Sequence, residues 1–171
     1  MTVHRLFFAA VIAIAIASCS DPAGPAAIGA PGAEFNQVPG HHVNGSGHVQ
    51  SATGLREFTF HAVEAPDGGV NGSYKVVLAN GLFFEADVSC LSVAGSTGWV
   101  AGVIRATNAA AVIVGSRSMF YAIDGGEGGG AVDVVSSAVF NAADGTDLAF
   151  CAEQPLVLPP LTVTDGNVQV R

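Results

Sequence analysis

The stretch "DGGEGGGAVD" gathers three carboxylates, Asp124, Glu127 and Asp133, around a glycine-rich loop. Oxygen donors on a flexible loop are what Ca²⁺ takes, but the spacing D-x-[DN]-x-[DN]-G is absent and three carboxylates seldom complete a calcium shell. The loop therefore reads first as a glycine turn, with Asp124, Glu127 and Asp133 kept as a candidate ligand or ion site. It has no GK[ST] ending and would set acidic groups against an anion, which excludes a phosphate cradle. His41, His42, His48 and His61 have no converging Cys or acidic ligands in the pattern, so they read as solvated residues and no metal site is assigned. No G-x-S-x-G elbow occurs. Glu85 and Asp87 have only the separation of about 7 Å that any i, i+2 pair has on a strand. No catalytic residue and no cofactor is assigned.

Thiols are the remaining reactive groups, and Cys19, Cys90 and Cys151 are an odd number for a disulfide framework. Cys19 stands at the end of an apolar run, Leu6 to Ala17, preceded by Arg5. A spanning helix needs about 20 apolar residues, and this run stops short of that, so residues 1–18 read as a cleaved export signal. Ile16-Ala17-Ser18-Cys19 resembles the lipobox of bacterial lipoproteins. The resemblance implies a diacylglyceryl thioether on Cys19, with a further N-acyl chain of the palmitate kind, and attachment to the membrane through lipid. Two or more chains anchor stably, at about 0.8 kcal/mol per buried methylene. It also implies an extracytoplasmic place in the cell envelope, at the outer membrane if the bacterium has two, since Ser20 follows the cysteine. The alternative is an ordinary secretory signal with a cysteine near its cleavage site.

With Cys19 assigned to lipid by that resemblance, Cys90 and Cys151 remain in a compartment where disulfides persist, and a Cys90–Cys151 bridge is expected. Two free buried thiols, or metal ligands without a CxxC partner, are the alternatives. Cys90 alternates in phase with Phe84 and Val88, so its partner is expected through the core or along an adjacent strand.

The chain of 171 residues has a net charge of −8, half of its residues are apolar, only 12% are charged, and 22 are glycine. Without a Lys/Arg stripe it is a poor partner for nucleic acid. Residues 19–44 are rich in Pro, Ala and Gly and read as a flexible spacer, reaching about 25–30 Å from the membrane by random-coil scaling. Residues 45–171 are the size of one domain.

Alternation organises that domain. "LREFTFHAV" sets Phe58, Phe60 and Ala62 against Glu57, Thr59 and His61, and Pro66-Asp67-Gly68 follows as a turn. "SYKVVLA" leads to Asn80-Gly81, a hairpin signal, and Leu82 to Val93 forms the next strand. "WVAGVIRAT" is apolar on both faces, as a central strand would be. "RSMFYAI", "AVDVVSSAVF" and "NVQV" complete seven or eight strands, and no window offers a persuasive amphipathic helix. The fold class is all-β, an antiparallel barrel because closure removes exposed edges, with a β-sandwich as the alternative.

The order of features from Gly45 onward resembles a group of small exported bacterial proteins. The residues that carry it are Gly45, Gly47 and Val49, "FTFHAV", the "DGGVNG" turn, "VSCLSVAG" before Gly102-Val103-Ile104, "DGGEG" and the "GNVQV" terminus. It implies one β domain and no particular activity. The functional expectation is a non-enzymatic binding or structural module of the envelope, with an envelope protein or small molecule as partner. A small-ligand carrier or enzyme using a barrel cavity is the alternative. A packed interior favours the module; a sizeable apolar hollow with convergent polar groups favours the carrier.

Overall fold

The computed structural model describes residues 40–128 and 131–171. Cys19 and residues 1–18, where the export signal is expected, lie outside them. Nine strands and one helix follow one another as β1 (His42–Ser51), β2 (Gly54–Glu64), β3 (Val70–Val77), β4 (Phe83–Ala94), β5 (Thr97–Thr107), β6 (Arg117–Ile123), β7 (Val134–Ser136), β8 (Val139–Ala142), α1 (Thr146–Glu153) and β9 (Pro160–Val170). Strands β1 to β6 pair as a meander, β7 joins β6 to β9, and β9 returns to β1, all antiparallel. The result is a closed eight-stranded barrel. The expected antiparallel barrel is the architecture found, and the sandwich is not. β8 is an extra strand that runs beside the upper part of β6, with Val139 opposite Met119 and Ala142 opposite Arg117.

The inward face is the apolar face that the alternation specifies. Phe58, Phe60 and Ala62 of β2, Val43 and Val49 of β1, and Val168 and Val170 of β9 are all buried in one core. Each of the valines and phenylalanines contributes about 1.5–3 kcal/mol on leaving water, and Ala62 less. Gly45 belongs to the same inward row, and a Cβ there would stand 2.4 Å from the Phe60 ring. The missing side chain is the space the ring occupies.

Five differences from the sequence expectation have physical causes. β1 begins at His42, paired to Val63, so the end of the stretch assigned to the spacer, with His42 in it, is strand. The 78–82 connection, with Asn80 and Gly81, is a five-residue loop closed by Leu78 N–H donating to the Leu82 carbonyl at 2.7 Å, not a two-residue hairpin. "AVDVVSSAVF" is broken at 137–138 into β7 and β8, because β9 starts only at Pro160 and leaves nothing to pair above Ser136.

The fourth difference is the helix. α1 lies against the outside of β4, β5 and β6, where Phe150 and Cys151 pack on Cys90, Trp99, Ala101, Met119 and Tyr121. This explains why β5 is apolar on both faces: one faces the lumen and the other faces α1. Cys90 is on that outer side, contrary to the expectation from its phase with Phe84 and Val88. The ladder shifts register between Val88 and Cys90, and a bulge turns the following residue to the opposite face. The bridge to Cys151, with Cα atoms 6.3 Å apart, pins α1 to the barrel wall.

Asp147, in the first turn of α1, completes the attachment. Its carboxylate accepts the Ser89 hydroxyl at 2.5 Å and lies 3.4 Å from Arg117 Nε, while being only 3% exposed. Burial pushes this carboxyl up, but the Ser89 hydrogen bond, the Arg117 charge and backbone N–H groups outweigh it and hold it below its ordinary value.

Candidate functional site

The register divides the barrel into two ends. The connections at 52–53, 78–82 and 108–116 lie at the upper end, and those at 65–69, 95–96 and 124–133 at the lower end. The lower half is filled by small and branched side chains. Val43, Ala62, Val100, Ala122 and Val168 are each at most 1% exposed.

The upper half is hollow. A cavity of about 520 Å³ opens there, within the range of small-molecule pockets. Its floor is aromatic: Phe120 stands 5.2 Å from Phe60 and 5.2 Å from Tyr74 between ring centroids, and Phe58 lies 5.6 Å from Phe60. These offset and edge-on contacts hold the rings in fixed orientations. The Tyr74 hydroxyl donates to the Ser118 carbonyl at 2.8 Å, and burial pushes its phenol well above its ordinary value, so it stays a neutral hydrogen-bonded strut. Val49, Val76, Val112, Val135 and Leu161 supply apolar walls, and Ala109, Ala111 and Ala138 leave room near the entrance. Val135 and Leu161 are neighbours in the β7–β9 ladder, just below the level at which β9 stops.

The cavity wall includes two cations and no carboxylate. Lys75 is engaged outside the barrel by Glu85 at 3.0 Å. Arg56 is different. It shares the inward phase of β2 with Phe58 and Phe60, its Nη2 donates to Thr53 Oγ1 at 3.1 Å, and its Nε is shielded from solvent without any partner. Among the described residues Arg56 forms no ion pair, whereas Lys75, Arg105 and Arg117 all do. Sequence reasoning passed over Arg56. The signal was present in "LREFTF", where an arginine stands in step with two core phenylalanines.

The candidate ligand or ion loop is at the other end. Asp124 accepts Gly126 N–H at 2.8 Å and Val170 N–H at 3.2 Å; Asp133 accepts Gly125 N–H at 2.9 Å and Val168 N–H at 2.7 Å. Both carboxylates fasten the loop to β9. Glu127 borders a small polar depression of about 190 Å³ with Asp133 and Asn167. Among the described residues no three His, Cys, Asp or Glu side chains converge as metal ligands.

The other groups weighed for chemistry are dispersed. His61 hydrogen-bonds to Asn44, and His48 lies 3.5 Å from Asp165. Glu85 and Asp87 share Arg105 on the outer wall, at 3.4 and 2.9 Å. The hydrogen bond from Lys75 holds the Glu85 carboxyl below its ordinary value, against desolvation and with help from the Lys75 and Arg105 charges.

No protein-family model matches the chain, and no curated protein or solved structure matches it.

Proposed function

We propose that the protein is a lipid-anchored binding protein of the bacterial cell envelope that holds a small apolar ligand in the upper half of its barrel. The observation that carries this reading is the open, apolar cavity of about 520 Å³ above a closely packed lower core. A purely structural module gains nothing from such a hollow, since uncovered apolar walls forfeit contacts that filling side chains would make. The surroundings of the entrance support the same reading. Ile113 and Val114 of the 108–116 connection and Val139 and Phe140 of β8 are exposed large apolar residues, a kind of patch that marks interaction sites more often than plain surface.

The anchor fits this arrangement. The described chain enters at the lower end, where His42 N–H donates to the Arg171 carbonyl at 2.8 Å. That lower end is opposite the cavity entrance. Metabolic labelling with a clickable fatty acid is expected to mark the parent and not the Cys19→Ser variant; equal labelling of the two removes the anchor from the proposal.

Ligand binding is tested with N-phenylnaphthylamine, a neutral apolar dye that brightens on leaving water. The parent is expected to bind it saturably. Ala138→Trp, which places an indole in the cavity at a half-buried position, is expected to weaken binding at least about tenfold with an unchanged far-ultraviolet circular dichroism spectrum. Saturable binding of equal strength in both proteins would place the dye elsewhere and defeat the reading.

A further inference from the structure

We infer that the ligand is an anionic amphiphile: a single apolar chain lying in the upper barrel, with a carboxylate or phosphate head received by Arg56. The inference rests on the cavity being a ligand site and adds the chemical class.

Three observations converge on Arg56. The first is its hydrogen-bonding state. Shielding an Arg Nε–H from water without a partner leaves a donor unpaid by any protein acceptor, a condition native proteins rarely tolerate without a reason. A head group with two oxygens matches the planar fork of a guanidinium and would satisfy that donor.

The second is charge placement. The protein carries −8 overall, yet the connections 52–53, 78–82, 108–116 and 137–138 contain no charged residue of either sign, and Asp144 of the 143–145 connection at the same end is paired with Arg117 at 3.2 Å. Carboxylates accompany the other strand cations, Lys75, Arg105 and Arg117, and none accompanies Arg56. An anion entering here meets one positive charge without a carboxylate partner, and no carboxylate lines the cavity. Arg56 is half-buried, so that attraction is less screened than it would be at a fully exposed charge.

The third is positional support. Thr53 Oγ1 accepts from Arg56 Nη2 and lies 3.2 Å from Ser51 Oγ, which in turn donates to the Gly54 carbonyl at 2.7 Å. The guanidinium is thus positioned from the β1–β2 turn. Phe58 and Phe60 continue from it down the same strand face toward the aromatic floor. A head at Arg56 sends an attached chain along those rings, so charged and apolar parts of one molecule are accommodated in sequence.

The test measures displacement of N-phenylnaphthylamine from the purified protein by dodecanoate, dodecyl phosphate and dodecanol. Both anions are expected to compete at least about tenfold better against the parent than against Arg56→Gln, the scale of a charge-assisted hydrogen bond, while dodecanol changes by less than about twofold. Arg56→Lys, which keeps the charge and loses the fork, is expected to fall between them. A preference of the parent for dodecanoate over the phosphate, or the reverse, identifies the head. If Arg56→Gln does not fold, the parent alone decides, through an anion-to-alcohol preference that weakens as salt is raised. If the dye binds and dodecanol competes as well as both anions, the anionic class is wrong while the apolar site stands. If the dye does not bind at all, both fall.

Discussion

A Cys151→Ala variant is expected to lose about 4 kcal/mol of stability, the loop-closure term for a bridge spanning 61 residues. For a domain of this size the melting temperature falls by roughly 10–20 °C, a large part of the usual stability margin of about 5–15 kcal/mol. The bridge ties α1 to the outside of β4, and none of its atoms faces the lumen; the inner core and the outer cluster are distinct sets of side chains. Binding of N-phenylnaphthylamine below the lowered melting temperature is therefore expected to survive. Urea unfolding and dye titration on the same sample check both halves. A loss under about 1 kcal/mol would mean that packing of Phe150 on Trp99 and Tyr121 already holds the helix. Lost dye binding in a still-folded variant would mean that the cavity depends on α1.

The second large effect concerns the other fastening of the same helix. Asp147→Asn keeps the shape and removes the charge that faces Arg117, whose remaining partner is the exposed Asp144 at 3.2 Å. Breaking a fully buried pair costs about 3–5 kcal/mol; with Arg117 partly solvated, about 2–3 kcal/mol is expected here at neutral pH. The pH dependence has a definite sign. Because the folded Asp147 carboxyl lies below its ordinary value, its stabilising contribution is complete above the usual carboxylate range. It is lost as pH falls through that range toward the folded pKa. The gap between parent and variant urea midpoints should therefore be widest near pH 7 and shrink as pH falls below about 4. A gap that stays constant across that range would contradict the assignment, since every other carboxylate is common to both proteins.

What could be read from the sequence followed from period-two alternation. Phe58, Phe60 and Ala62 point inward as their spacing requires, and Glu85 and Asp87 point outward, where Arg105 and Lys75 meet them. Alternation fails wherever the ladder slips, and the bulge after Val88 is such a place: one residue's shift moved Cys90 from the lumen to the helix side. Eight-residue α1 carries too few turns for its apolar residues, Leu148, Phe150 and Cys151, to reveal a periodic stripe, and Leu148 is 62% exposed. Its packing on Trp99 and Met119 makes it helical, and that is a tertiary fact. The hollow was equally hidden. Inward residues are apolar whether a barrel is filled or open, and the difference comes from the small Ala109, Ala111 and Ala138 near the entrance and from the late start of β9 at Pro160. Arg56 could have been found by extending the Phe58–Phe60 phase one step back.

The central claim is that the upper lumen is an interior that a ligand enters. Methyl-region NMR during titration with dodecanoate addresses it most directly, because valines report from both halves. Val49, Val76 and Val112 at the cavity are predicted to shift with a single saturation curve, while Val43, Val100 and Val168 in the packed half stay within a small fraction of that change. Shifts confined to exposed Val132 and Val157, with the cavity valines unmoved, would contradict it.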